Sequence, residues 1–78
     1  MQTFYNKQDY ALGNGLFLSE RQLSVLTELS KGLSNKEIAE VLGVAEPTIK
    51  MHISNLLRAF DARNRVQILI KAKEKGFI

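Results

Sequence analysis

The stretch that most restricts how this chain folds is residues 34–60, SNKEIAEVLGVAEPTIKMHISNLLRAF, where helix start and stop signals follow one another at fixed distances. Ser34 stands three residues before Glu37, the spacing of a capping box, in which hydroxyl and carboxylate each satisfy an amide left orphaned at a helix start. A helix is therefore expected from Asn35. Ile38, Ala39 and Leu42 fall on one face of a 3.6-residue period, and Gly43 follows where a left-handed residue closes a helix. Val44 is apolar within the turn and is expected to plug the angle between two helices. Pro47 is tolerated only in a first turn, so the second helix should start at Ala45 or Glu46.

That second helix, expected over 46–60, has two unlike faces. At 100° per residue, Ile49, Ile53, Leu56 and Phe60 share a narrow sector, while Pro47, Met51, Ser54 and Arg58 point the opposite way, flanked by Lys50 and Asn55. One face packs and the other is left free. A short helix, a turn with a glycine and a second helix whose free face carries Lys, Ser, Asn and Arg match a helix-turn-helix, which presents its second helix to the DNA major groove. An amphipathic helix has a polar side in any case, and many two-helix hairpins bind nothing. Geometry alone leaves both readings open.

With 78 residues the chain makes one small domain, able to bury only about 60% of its unfolded surface, so a dimer would help its stability. It has no cysteine, hence no disulfide framework and no thiolate metal site, which is compatible with a reducing cytoplasm. The lone His52 cannot assemble a metal site, so neither metal nor cofactor is expected. No apolar run approaches the ~20 residues of a membrane span, and the opening MQTFYNKQDYALG lacks the basic-then-apolar build of a signal peptide. A cytoplasmic protein without a membrane partner is expected. No nucleophile, base and orienter set occurs, and no phosphate-cradling loop, so an enzyme is not expected.

The net charge of +3 is unevenly spread. Over 47–75 seven cations (Lys50, Arg58, Arg63, Arg65, Lys71, Lys73, Lys75) face two acids (Asp61, Glu74), whereas over 19–46 three cations face five acids. Positive charge thus gathers where the free helix face lies, as a polyanionic partner would require. For Lys71, Lys73 and Lys75 a merely solvated helix face is the simpler reading.

The flanks read as follows. Residues 1–17 form an arm or linker: they lack a clear period and contain the breaker Gly13, Asn14, Gly15, and the surplus aromatics Phe4, Tyr5 and Tyr10 either dock on the core or fray. Leu16 to Leu18 lead into Ser19, which with Gln22 forms a second capping box, so a helix starts near Glu20. Leu23, Leu26, Leu29 and Leu33 carry its buried stripe with Val25 at the edge, and Gly32 ends it. After Phe60, Asn64 is expected to cap a last helix over 65–75 closed by Gly76. There Ile68, Leu69 and Ala72 face the core. Val66, Ile70 and Lys73 lie on another side as a strip that so small a domain cannot cover, which suggests self-association.

At this point the order of elements resembles the LuxR/FixJ (GerE-like) type of bacterial helix-turn-helix domain across nearly all of 18–72. The landmarks are Leu18-Ser19 with Arg21, the GLSNKEIA block at 32–39, Leu42-Gly43-Val44, Thr48-Ile49-Lys50 with His52, and Asn64-Arg65. The resemblance implies an all-α, four-helix domain over 18–78, three core helices plus a fourth, with the helix-turn-helix at about 34–60. It implies a transcription regulator that binds double-stranded DNA as a homodimer through its fourth helix, with RNA polymerase as a further partner. Base contacts would fall to Lys50, Met51, Ser54 and Asn55. Lys can donate to guanine N7 and O6, Met can touch a thymine methyl and Ser can bond to base or phosphate. Phosphate contacts would fall to Lys36, Thr48, Arg58 and Arg65, and the dimer interface to Val66, Ile70 and Lys73. His52 is assigned to packing.

The chain departs from the family pattern at named places. Gln22 stands for the usual Glu, Ala45 for a Ser that caps the recognition helix, and Ala59-Phe60 for a basic-Leu pair, while Ser54 carries no charge where some relatives have Lys. Such domains usually follow a receiver or sensor domain, so the chain is either an excised effector domain or a stand-alone regulator. Two rivals remain: a sigma-factor promoter-binding region, which normally lacks the Asn64-Arg65 opening, and a protein-interaction (anti-activator) module that kept the fold.

Overall fold

The structure is a computed structural model that describes residues 9–12 and 16–78, with side chains from residue 17 onward. Four helices carry it: α1 Glu20–Ser30, α2 Asn35–Leu42, α3 Glu46–Ala59 and α4 Arg65–Glu74. They begin where local chemistry says they should. Ser19 Oγ accepts from the Gln22 amide at 3.1 Å while Gln22 Oε1 accepts from the Ser19 amide at 2.9 Å. The Ser34 and Glu37 pair repeats this at 3.1 and 2.8 Å. Gln22 therefore keeps the reciprocal geometry that a Glu would give, without its charge. At α4 the Asn64 Oδ1 accepts from the Gln67 amide at 2.9 Å.

Two strands precede the helices, β1 Asp9–Leu12 and β2 Leu16–Ser19, paired antiparallel with Asp9 opposite Ser19 and Leu12 opposite Leu16. The hairpin departs from the arm or linker expected over residues 1–17. The apolar lead at 16–18 is its second strand, and part of the segment read as an arm is its first. Four-residue strands are too short for a period-two pattern to stand out from a linker. Phe4, Tyr5 and the Gly13 to Gly15 breaker lie outside the described residues, as does the Tyr10 side chain.

The core is one cluster fed by every helix: Leu18, Val25, Leu26, Leu29, Ile38, Ala39, Ile49, Ile53, Leu56, Phe60, Ile68 and Ala72. Val25 is fully buried, which corrects its expected place at the edge, whereas Leu23 and Leu33 are only partly buried. Helix α1 packs against β2, α2, α3 and α4, so its buried sector is wide enough to take in Val25 with Leu26 and Leu29. Val44 packs against the core from the turn as expected. Gly43 takes φ 71°, and its amide and that of Val44 both donate to the Ala39 carbonyl, which closes α2. At the far end Phe77 folds back so that its ring meets Phe60 edge-on, centroids 5.6 Å apart.

The α3–α4 corner is tied together by polar bonds. Asp61 sits at φ 51°, the one non-glycine among the described residues with positive φ, and its carbonyl accepts from Lys71 Nζ at 2.7 Å. The Arg63 amide donates to Gln67 Oε1 at 2.8 Å. Lys71, read from sequence as a solvated face, therefore fastens α4 to the end of α3.

Candidate nucleic-acid interface

The two faces of α3 are realised as the spacing requires. Ile49, Ile53 and Leu56 are buried, and Phe60 closes the row just past the helix end. Pro47, Lys50, Met51, Ser54 and Arg58 are exposed, with Asn55 and Thr48 half-buried beside them. Met51 presents 53% of its surface on that free side. The helix has fourteen residues, long enough to bring Lys50, Met51 and Ser54 onto successive turns of one free strip.

Its start and end differ in quality. Ala45 has the extended backbone of a cap residue, φ −74° and ψ 149°, yet offers no side-chain acceptor; Pro47 brings no amide hydrogen, and the Thr48 amide turns back to the Ala45 carbonyl at 3.0 Å. At the end Arg58 Nη2 donates to Asn55 Oδ1 at 2.7 Å, which holds the guanidinium along the exposed face. That pair joins a base-facing and a phosphate-facing candidate into one polar unit.

The remaining candidates divide. Lys36 is exposed in the first turn of α2, a position from which an ammonium reaches outward beside the helix start. Arg65 points the other way: Nη1 donates to Asn35 Oδ1 at 2.6 Å and Nη2 to the Leu33 carbonyl at 2.7 Å. It is half-buried against the loop that opens α2 rather than held out toward a partner. Arg63, counted in the sequence only as charge, is exposed just after the end of α3. On α4, Val66 and Ile70 are 64% and 52% exposed and Lys73 is exposed on the same side.

His52 lies at the margin between packed and free faces, half-buried, with Nδ1 enclosed and without a hydrogen-bond partner. Burial, and after it the Arg21 guanidinium, hold its pKa below the ordinary value of 6.5. A neutral imidazole packs there, in line with its assignment to packing. Among the described residues no group of acids and histidines could hold a metal, and no helix is long and apolar enough to cross a membrane.

Over residues 16–72 the chain matches the family model of bacterial regulatory proteins, luxR family. It is 57% identical over 53 residues to the nitrate/nitrite response regulator protein NarP of Escherichia coli, a match covering 68% of this chain and 25% of that protein. To the transcriptional regulatory protein LnrK of Bacillus subtilis it is 46% identical over 61 residues, 78% of this chain and 28% of that one. Among solved structures, a chain of the Vibrio cholerae VqmA dimer, a LuxR-type receptor determined in the absence of target DNA, matches with a TM-score of 0.77 and 31% identity. That match covers 80% of this chain and 28% of the other. The chain thus spans about a quarter of the length of the relatives it matches.

Proposed function

This chain belongs to the luxR family of bacterial regulatory proteins, and on that premise we propose that it reads double-stranded DNA sequence-specifically in the bacterial cytoplasm, with α3 in the major groove and two copies joined through α4. The family's helix-turn-helix is a DNA-binding domain of transcription regulators and not an enzyme. The observation that supports the finer reading is the free strip of α3, where Lys50, Met51 and Ser54 stand exposed opposite a fully packed face.

Each group suits a feature of the groove. The Lys50 ammonium donates to guanine N7 and O6, the Met51 thioether fits against a thymine methyl, and Ser54 and Asn55 bond to base edges or to the adjoining phosphate. Lys36, Thr48 and Arg58 flank that strip and suit phosphates on either side of the groove. Of the phosphate candidates Arg65 stands apart, because two of its donors are already engaged within the protein. The α4 strip of Val66, Ile70 and Lys73 suits a second copy, since an apolar pair of this exposure on one helix face gains from being covered.

Selection from random duplexes tests this. The expected product is a defined motif with two-fold symmetry, bound with log affinity falling by about 0.9 per phosphate neutralised for each unit of log salt. Recovery of no motif, or binding indifferent to salt, would overturn the reading in favour of a protein-interaction module.

A further inference from the structure

The longest-range side-chain hydrogen bonds among the described residues are those of Arg65, which reach back 30 and 32 positions to Asn35 and Leu33. They leave the first residue of α4 and end on the first residue of α2 and on the loop before its cap. One planar guanidinium with two acceptors fixes direction as well as distance, because its donors form a rigid fork. The site is half-buried, so the fork is shielded from competing water.

What the fork holds is the start of α2. Lys36 follows Asn35 directly, and the capping amides of Ser34 and Glu37 lie within the same turn. The capping box sets the helix's own geometry but says nothing of where its end stands relative to α3 and α4. That placement otherwise rests on the buried Ile38 and Ala39 and on the half-buried Leu33 and Leu42, apolar contacts without direction. The Lys71 bond to the Asp61 carbonyl fastens the same helix α4 to the end of α3. Helix α4 is therefore tied by polar bonds to both outer ends of the helix-turn-helix.

We infer that Arg65 is a positioning residue for DNA binding: through Asn35 and the Leu33 carbonyl it holds the start of α2 so that Lys36 meets the phosphate backbone, and does not itself contact DNA. This rests on the DNA-binding reading above. Arg65 is the only cation in the first turn of α4, so the link also joins the helix proposed for dimerisation to a DNA anchor.

The test measures affinity for a duplex recovered by the selection, at several salt concentrations and well below the unfolding midpoint of each variant. The variants are Arg65→Gln, Arg65→Lys, Asn35→Ala, Lys36→Ala and the doubles of Arg65→Gln with each of the last two. A positioning role predicts that Arg65→Gln weakens binding about tenfold, that Lys cannot restore it because one ammonium does not replace the fork, and that Asn35→Ala loses part of the same affinity. The effect of Lys36→Ala should then largely vanish in the Arg65→Gln background, a coupling that a general loss of stability does not produce. Amide resonances of residues 35–37 should shift in Arg65→Gln while those of α1 stay in place. Two results overturn the inference: independent, multiplicative effects of Arg65 and Lys36, with Asn35→Ala neutral, would mark Arg65 as a direct phosphate contact. Full affinity in Arg65→Gln would mark it as structural alone. Failure of the unaltered protein to bind any duplex would overturn the DNA reading along with it.

Discussion

Lys50 and Lys36 carry the same charge on similar stems, both exposed, yet they stand at different places in the motif. Lys50 lies on the free strip of α3 and Lys36 at the start of α2; on the proposed docking the first would meet a base edge and the second the duplex backbone. Replacing Lys50 by Ala should relax preference at one or two base pairs by about 1–3 kcal/mol. Replacing Lys36 should weaken all sequences alike and reduce the salt slope by about one. Binding measured on a panel of single-base variants checks both, and equal losses on every site would erase the distinction. His52 behaves differently because its surroundings oppose charge. With its pKa lowered in the fold, the unfolded chain takes up the proton first as pH falls. Stability is thus highest above the ordinary value of 6.5, declines below it and levels off once the folded imidazole is also protonated. Urea midpoints should fall between about pH 7.5 and about pH 5.5, and less so in His52→Gln, which carries no titrating ring. An unchanged slope in that variant would assign the pH dependence elsewhere. That Arg21 would oppose protonation was not readable in the sequence, because 31 positions separate it from His52 and only the packing of α1 on α3 brings them together.

Helix ends set how far the elements could be read in advance. Capping boxes at Ser19 and Ser34, the Asn64 cap and the Gly43 stop involve residues at most a few positions apart, so the sequence alone locates them and the structure carries all four. Val25 lies deeper than its helical spacing suggests because which side of α1 is buried depends on the elements packed around it, and the hairpin leaves no periodic signal over four residues. The Arg65 fork and the Lys71 bond were out of reach for the same reason: their partners are decided by tertiary placement. The absent cap at Ala45 was legible, and it makes a prediction about α3 as a unit. The backbone there already has cap geometry, so Ala45→Ser needs no rearrangement to place Oγ near the Thr48 amide, which donates to the Ala45 carbonyl at 3.0 Å and can be shared between the two oxygens. The substitution should stabilise the fold by about 0.5–1 kcal/mol, read as a higher denaturant midpoint at unchanged slope. A Ser that leaves the midpoint unmoved would mean that the start of α3 is satisfied by some other group.

Among the surfaces that the described residues leave exposed are the strip of α3 and the strip of α4, and their relation bears on what assembly the chain supports. Helix α4 packs Ile68 and Ala72 inward and leaves Val66 and Ile70 out, so it is committed on one side and available on another. Two copies meeting through that side would be related by a two-fold axis, and their α3 strips would then enter successive major-groove segments on one face of a duplex, about 34 Å apart. A charge placed on that side of α4 tests this without altering α3. Ile70→Glu adds a carboxylate at an exposed position, so the fold of the single copy should survive, while two such groups brought together repel and must be desolvated. Affinity for a paired site should fall by at least about tenfold, as one member of the pair must now bind on its own, whereas affinity for an isolated half-site should stay within about twofold. Sedimentation of the free and DNA-bound protein gives the stoichiometry directly. Equal loss on both sites would place Ile70 in the DNA contact itself, and no loss on either would leave α4 as scaffold, with the two reading helices brought together by the duplex alone.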